Sequence, residues 1–168
     1  MYLSEVAGSW FALQVRPRSE RAVAVMLESK GYQHLLPTYR PGQHEHARAI
    51  EPPLFPGYVF CRFEPRIRGL IVTTPGVVRI VGFGKVPACL AESEVEAIRR
   101  ICSSGVPVEP HPYVRIGDTV RVTQGPLQGV TGMAIGEGRA SRLLVSVTLL
   151  QRAVAVEVDR DWLASLQV

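Results

Sequence analysis

Cysteine is scarce in this sequence, and long runs of apolar residues are missing from it. The three cysteines, Cys61, Cys89 and Cys102, are odd in number and widely spaced, which predicts reduced thiols in a cytoplasmic protein. No stretch approaches the ~20 consecutive apolar residues that a membrane-spanning helix needs. Residues 1–8 carry no basic cluster ahead of an apolar core, so we predict no signal peptide.

Lysine is also rare, and the excess of positive charge is small. Lys30 and Lys85 are the only lysines among the 19 basic residues, and the formal net charge is +4. Basic residues exceed acidic ones by 7 to 5 in residues 1–63, by 6 to 5 in 64–112 and by 6 to 5 in 113–168, so no segment is a basic nucleic-acid-binding tail. Arginine suits phosphates and carboxylates, but a GC-rich genome gives the same bias.

The first two thirds of the chain alternate strand and helix patterns. Short runs of aromatic and branched residues predict strands, and apolar residues at a spacing of three and four predict helices. The polar stretch 40–52 has no period and is predicted to be an exposed loop. The predicted strands cover residues 10–16, 33–39, 54–63 and 77–82, and the predicted helices cover 19–30, 65–72 and 92–102.

The composition changes after a segment with three prolines. Residues 106–112 are predicted to form an extended, semi-stiff linker, because prolines exclude both a helix and a central strand. Beyond it, glycines separate short β-rich runs at residues 119–123, 130–136, 143–150 and 153–158. The fold class predicted is α+β. An antiparallel sheet with flanking helices (residues 1–105) is followed by the linker and a small all-β barrel (residues 113–168).

The segment PLFPGYVF (residues 53–60) is a turn that runs into a strand. Pro56 belongs at a strand start, an edge or a bulge, because proline cannot donate to a central ladder. Phe55 and Tyr58 are therefore expected to be held rigidly. Taken alone, these residues favour an edge strand whose aromatic side chains lie in the core.

Segments in both halves resemble the NusG family of transcription factors. WFALQVR (residues 10–16), LFPGYVF (54–60) and TPGVVRIVGFG (74–84) resemble the N-terminal NGN domain of that family. GDTVRVTQGPLQG (117–129) resembles the KOW module, a small β-barrel. The motifs follow the family's order and extend from Trp10 to about Leu166 of the printed sequence.

The resemblance implies a non-enzymatic, monomeric elongation and antitermination factor that suppresses pausing or termination. The NGN domains of the family dock on the clamp helices of the RNA polymerase β′ subunit through an apolar patch. The family motif maps this patch onto Phe55, Pro56 and Tyr58, with Trp10 or Phe11 nearby. An exposed aromatic patch on a rigid edge suits a helical partner, and here the resemblance reverses the preference for core aromatics.

The KOW resemblance implies a second contact, with the ribosomal protein NusE or with the termination factor Rho. It maps the contact onto Leu127 in one turn and onto Leu149, Leu150 and Arg152 in a later one. Leu127 stands where the family usually has phenylalanine. Residues 50–53, which precede LFPGY, resemble specialised paralogues of the RfaH or UpxY type more than general members of the family. Pro126, the glycines and residues 145–148 favour a β-structure over the helical hairpin that some of those paralogues form.

A contact with the displaced, non-template DNA strand is also implied by the resemblance to specialised paralogues. The matching residues are Arg16, Arg18 and Arg21 at the start of the first helix, and Thr74. Helix N-termini bind phosphates in general. A solvated helix start explains the same arginines equally well.

Catalysis and metal binding find little support in the sequence. His44 and His46 flank Glu45 in the polar loop without a third ligand at useful spacing, so we predict no metal and no cofactor. Two other functions remain open. A ribosome-associated KOW protein that binds ribosomal RNA would carry a basic stripe over residues 113–168. A thiol enzyme around Cys61 would need a pocket and a lowered thiol pKa, whereas the apolar run around Cys61 favours burial.

Overall fold

The first sheet is built around strand β1 (Ser9–Val15) in the computed structural model, which describes residues 8–41, 50–115, 117–136 and 140–166. The chain divides into two compact units. The first unit contains the described parts of Met1–Leu36 and Phe55–Glu92, and the second contains those of Pro37–Leu54 and Ser93–Val168. Within the described residues, no helix is long and apolar enough to cross a membrane.

The first unit is a four-stranded antiparallel sheet with helices. The strands lie in the order β2-β3-β1-β4, so that β1 and β3 occupy the centre. A small hairpin of β5 and β6 forms a separate ladder. In chain order the elements after β1 are α1 (Glu20–Ser29), β2 (His34–Leu35), β3 (Tyr58–Phe63), α2 (Arg68–Val72), β4 (Val77–Ile80), β5 (Gly82–Phe83) and β6 (Val86–Pro87).

The two faces of this sheet follow from the alternation of side chains along a strand. One face forms the apolar core with α1 and α2, and it contains Phe11, Leu13, Val15, Val59, Cys61 and Phe63. The other face carries the alternate residues of the central strands. They are Trp10, Ala12 and Gln14 on β1 and Tyr58, Phe60 and Arg62 on β3.

The second unit contains helix α3 (Glu92–Ser104) beyond its first residue and a six-stranded antiparallel sheet. The strands lie in the order β12-β8-β9-β10-β11-β7. In chain order they are β7 (Val108–Pro112), β8 (Thr119–Val122), β9 (Thr131–Ile135), β10 (Ala140–Val147), β11 (Arg152–Asp159) and β12 (Leu163–Ser165). Branched residues of β8, β10 and β11 are buried and form the apolar core of this unit.

The α+β class is confirmed, and the described residues between 113 and 166 form strands and turns without an α-helix, as predicted. Two strands are much shorter than predicted. The strand expected over 33–39 is only His34–Leu35, and Pro37, which lacks a backbone N–H, follows soon after it. The strand expected over 54–63 begins at Tyr58, because a turn at Pro56 and Gly57 precedes it.

Residues 108–112 form an edge strand, β7, where the sequence suggests an extended linker. β7 pairs only with β11 and lies at the end of the sheet order, which is where strand prolines are tolerated. An extended backbone is common to both descriptions. The domain limits predicted from the sequence, 1–105 and 113–168, stay a prediction.

Candidate docking surfaces

Residues 55–58, here termed the docking turn, are fixed by three hydrogen bonds. The Tyr58 N–H donates to the Phe55 carbonyl (3.1 Å), which closes the turn, and Gly57 adopts a φ of +88° that glycine tolerates. The Val15 N–H donates to the Gly57 carbonyl (2.8 Å). The Gly57 N–H donates to the Glu20 carboxylate (3.0 Å). The turn is thereby attached to the end of β1 and to the first residue of α1.

Burial divides the predicted apolar patch into two parts. Phe55 is only 1% exposed, so the expectation that this ring is exposed is wrong, and Trp10, which was mapped near the patch, is only 4% exposed. The ring of Phe55 packs against Phe60, with ring centroids 5.6 Å apart. A phenyl ring has no polar atom to keep hydrated, and this ring finds an apolar neighbour on the sheet.

Phe11, the alternative to Trp10, is also a core residue. Its ring stacks on Phe63 at a centroid distance of 4.6 Å, on the helix-covered face. Pro56 is exposed and Tyr58 is half-buried. The surface that the docking turn offers to a partner is therefore narrower than predicted, and Pro56 and Tyr58 form it.

Arg16, Arg18 and Arg21, here termed the arginine cluster, are exposed as the DNA prediction requires. They lie on a tight turn and the first turn of α1. The Arg16 N–H donates to the Gly76 carbonyl (2.9 Å), and the Ser19 N–H donates to the Arg16 carbonyl (3.0 Å). Arg18 has a φ of +67°, a conformation that costs a non-glycine residue about 1 kcal/mol or more. Ser19 occupies the N-cap position, but its side chain makes no capping hydrogen bond.

Thr74 is 2% exposed, and its burial contradicts the expectation that it faces DNA. Its hydroxyl accepts a hydrogen bond from Lys30 Nζ (3.1 Å) and donates one to the Leu70 carbonyl (3.3 Å) near the end of α2. Threonine hydroxyls commonly satisfy carbonyls at helix ends in this way. The exposed group of this pair is Lys30, which no sequence pattern singles out.

In the second unit, two of the predicted partner-binding residues are buried and two are more exposed. Leu127 is 3% exposed and Leu150 is 9% exposed, so neither presents a large apolar surface. Leu149 is half-buried and Arg152 is exposed. The first turn is held by the Gly129 N–H, which donates to the Val122 carbonyl (2.8 Å). An apolar side chain in a turn anchors the turn whenever the sheet below offers a buried position.

Helix α3 contacts both of these turns. The Glu94 carboxylate accepts hydrogen bonds from the Thr148 backbone N–H (3.0 Å) and from the Thr148 hydroxyl (2.9 Å). Arg100 donates from Nη2 to the Pro126 carbonyl (3.3 Å). A cleft of about 470 Å³ lies between α3 and the sheet, and these two α3 residues line it. These contacts are not predictable from the sequence, because exposed charges on a helix do not identify their partners.

The cysteines offer no reactive thiol in the core. Burial raises the pKa of Cys61 to about 12, so this thiol is protonated at neutral pH and lacks the nucleophilic form. Burial also raises the pKa of Cys102. Among the described residues, no group of three His, Cys, Asp or Glu side chains could hold a metal ion. The predicted loop residues His44, Glu45 and His46 lie outside the described residues.

Known proteins resemble this chain in sequence and in fold. The family profile "Transcription termination factor nusG" matches residues 8–99. The transcription termination/antitermination protein NusG of Pseudomonas aeruginosa is 31% identical over 155 residues, which cover 86% of each chain. NusG of Helicobacter pylori is 24% identical over 164 residues, which cover 89% of this chain and 93% of the relative.

The fold comparison agrees with the sequence comparison. A solved structure described as "Domain interaction in Thermotoga maritima NusG" superposes with a TM-score of 0.57 at 19% identity, covering 96% of this chain and 98% of that one. At this identity the likeness supports the fold alone. Both kinds of comparison cover the strands and helices described above.

Proposed function

This chain belongs to the NusG family of transcription termination and antitermination factors, and from that premise we propose that it binds RNA polymerase through the docking turn. The single observation that carries the proposal is the rigid attachment of the turn, in which Gly57 bonds both to Val15 and to Glu20. A preorganised turn loses little conformational entropy when a partner binds. The proposed partner element is the pair of clamp helices of the β′ subunit.

Tyr58 is the central residue of the proposed contact. It is half-buried and adjacent to the exposed Pro56, so it combines a fixed ring with an accessible edge. Tyrosine is enriched among residues that dominate binding energy, because its ring is large and its hydroxyl tolerates water. Phe55 acts beneath this surface, because its buried ring packs against Phe60 and holds the turn in place.

The test is co-purification of the full chain with bacterial core RNA polymerase. Tyr58→Ala is expected to reduce retention at least tenfold, as the loss of a central aromatic contact does. Tyr113→Ala is the matched control, because Tyr113 is also half-buried and lies in the second unit. Equal retention of wild type and Tyr58→Ala would refute the assignment of the docking turn.

The second unit is proposed to recruit the ribosomal protein NusE or Rho, as a specialised antitermination paralogue of the RfaH or UpxY type would. The accessible residues there are Leu149 and Arg152. We propose that a partner contacts these two and replaces Glu94 at Thr148. A pull-down with each purified candidate partner tests this, and the proposal fails if Arg152→Ala binds both as well as wild type.

The arginine cluster is proposed to contact the non-template DNA strand. Three exposed guanidinium groups on one turn and one helix start favour phosphate contacts. The double variant Arg18→Ala with Arg21→Ala is expected to weaken crosslinking to single-stranded DNA in a stalled elongation complex, with an unchanged circular dichroism spectrum. Unchanged crosslinking would remove this part of the proposal.

A further inference from the structure

We propose that Arg79 is a specificity residue of the docking surface and that it binds a carboxylate of an acidic segment on the protein partner. The inference rests on the proposed function, because it deepens the contact assigned to the docking turn. It concerns a charge that the turn itself does not contain. Three observations support it. Arg79 lies in one row with Gln14 and Tyr58, it forms a short hydrogen bond with Gln14, and no acidic side chain among the described residues pairs with it.

The row runs across three strands of the first sheet. Gln14 on β1 pairs with Tyr58 on β3 and, on its other side, with Arg79 on β4. Residues directly opposite in antiparallel strands point to the same face, with Cβ atoms about 5 Å apart. Arg79 therefore lies two strands from Tyr58 on the same face. β4 ends the strand order of this sheet, and Arg79 is exposed there.

The Arg79 guanidinium is oriented by its neighbour in the row. Its Nε–H donates to the Gln14 side-chain carbonyl at 2.7 Å, and Gln14 is half-buried. With Nε occupied, the two Nη groups are left to form the planar fork that binds a carboxylate through two parallel hydrogen bonds. No acidic side chain pairs with Arg79 among the described residues.

A second arginine on the same face shows the contrast. Arg62 forms an ion pair with Glu92 (3.3 Å) and also donates from Nε to the Gly8 carbonyl (3.1 Å). Its charge is balanced within the first unit. Glu20 belongs to α1, which packs on the other face of the sheet, and its buried carboxylate accepts from the Gly57 N–H. The face is therefore positive beside Tyr58.

An acidic protein segment fits this arrangement better than a nucleic-acid phosphate. Arg79 shares its row with a tyrosine and lies on the face of the proposed protein contact, whereas the arginine cluster lies at the start of α1. A charge at the rim of an apolar contact selects partners of opposite charge and accelerates association. The docking surface thus combines one aromatic side chain, Tyr58, with one guanidinium group, that of Arg79.

The experiment measures the affinity of the full chain for core RNA polymerase without nucleic acid, at low and high salt. Arg79→Ala is expected to weaken binding about tenfold at low salt and less at high salt, because salt screens exposed charges. Arg79→Lys keeps the charge but not the planar fork, and it is expected to recover only part of the loss. The matched control is Arg68→Ala, because Arg68 is an exposed arginine on α2 outside the row, and this variant is expected to bind as wild type.

The outcomes separate the inference from the proposed function. If Tyr58→Ala loses binding and Arg79→Ala does not, the inference is wrong and the docking turn stands. If neither variant loses binding, the proposed function fails. A loss for Arg79→Ala that appears only when DNA is added would show a phosphate contact and overturn the acidic-partner assignment. Arg79 is exposed, so an unchanged melting temperature is expected for each of its variants.

Discussion

The docking turn of the first unit and the turn around Leu127 in the second unit both bury the apolar residue of their motif. Each contains one apolar side chain that the sequence suggests for partner binding, Phe55 or Leu127, and each buries it almost completely. In each, a neighbour stays exposed, Pro56 in the first and Pro126 in the second. The two turns differ in what holds them. The first is attached through Gly57 to Glu20, while the second is contacted by Arg100 of α3.

In both turns, the apolar residue of the motif acts as an anchor that holds the turn on the sheet. Its burial fixes the backbone, and the backbone then presents a more exposed neighbour to a partner. Removal of an anchor should therefore cost stability, whereas removal of the presented residue should cost binding. The following predictions test that separation, from the largest effect to the smallest.

Phe55→Ala is expected to lower the free energy of unfolding by about 3–5 kcal/mol, because it removes a buried ring and leaves a cavity beside Phe60. Tyr58→Ala is expected to lower it by only about 1 kcal/mol, because its ring is half-buried. Chemical denaturation of both variants measures the difference. Similar losses for the two variants would contradict the division between anchor and presented residue.

Leu127→Ala is expected to lower the free energy of unfolding by roughly 2–3 kcal/mol, at the low end for a buried leucine because the residues beside it are exposed and the turn can relax. Leu149→Ala is the paired variant, since Leu149 is half-buried. Its loss of stability should be smaller and its loss of partner binding larger. Denaturation and pull-down on the same two variants decide whether the two turns of the second unit separate an anchor from a presented residue, as the docking turn does.

Glu20→Ala is expected to lower stability by about 1–2 kcal/mol, because the Gly57 N–H would lose its acceptor. It should also weaken polymerase binding although Glu20 is buried, since the turn would lose one of its attachments. Glu20→Gln retains an acceptor oxygen and should restore most of the binding. Glu28→Ala is the control on the same helix, because Glu28 is exposed. Full binding by Glu20→Ala would show that Gly57 needs only its bond from Val15.

Glu94→Ala is expected to have the smallest effect, at most about 1 kcal/mol, because its hydrogen bonds to Thr148 are exposed. Amide hydrogen exchange at Thr148 should nevertheless become faster. Glu96→Ala, on the same helix, should leave that exchange unchanged, since Glu96 pairs with Arg99. Equal exchange rates in both variants would mean that α3 does not protect this turn.

The order of strands and helices was readable from the sequence, but the roles of single residues were less so. The period of branched and aromatic residues predicted β1 and β3, and helical spacing predicted α1 and α3. β2 is shorter than its predicted span of 33–39, because an apolar run does not show where strand pairing ends. The prediction that Thr74 contacts DNA comes from resemblance alone. In the structure its buried hydroxyl bonds to Lys30, which is 44 residues away, and to Leu70.

The fold class, the family and the rigid turn are readable from the sequence, because they depend on local periodicity, on proline and glycine, and on motifs in a fixed order. The packed structure is needed to see that Phe55 is buried as an anchor while Tyr58 is accessible. It alone brought Gln14 and Arg79 into one row, since residues 65 positions apart meet only through strand register. Burial and register are properties of packed neighbours. They follow from contacts between distant segments, which local pattern does not encode.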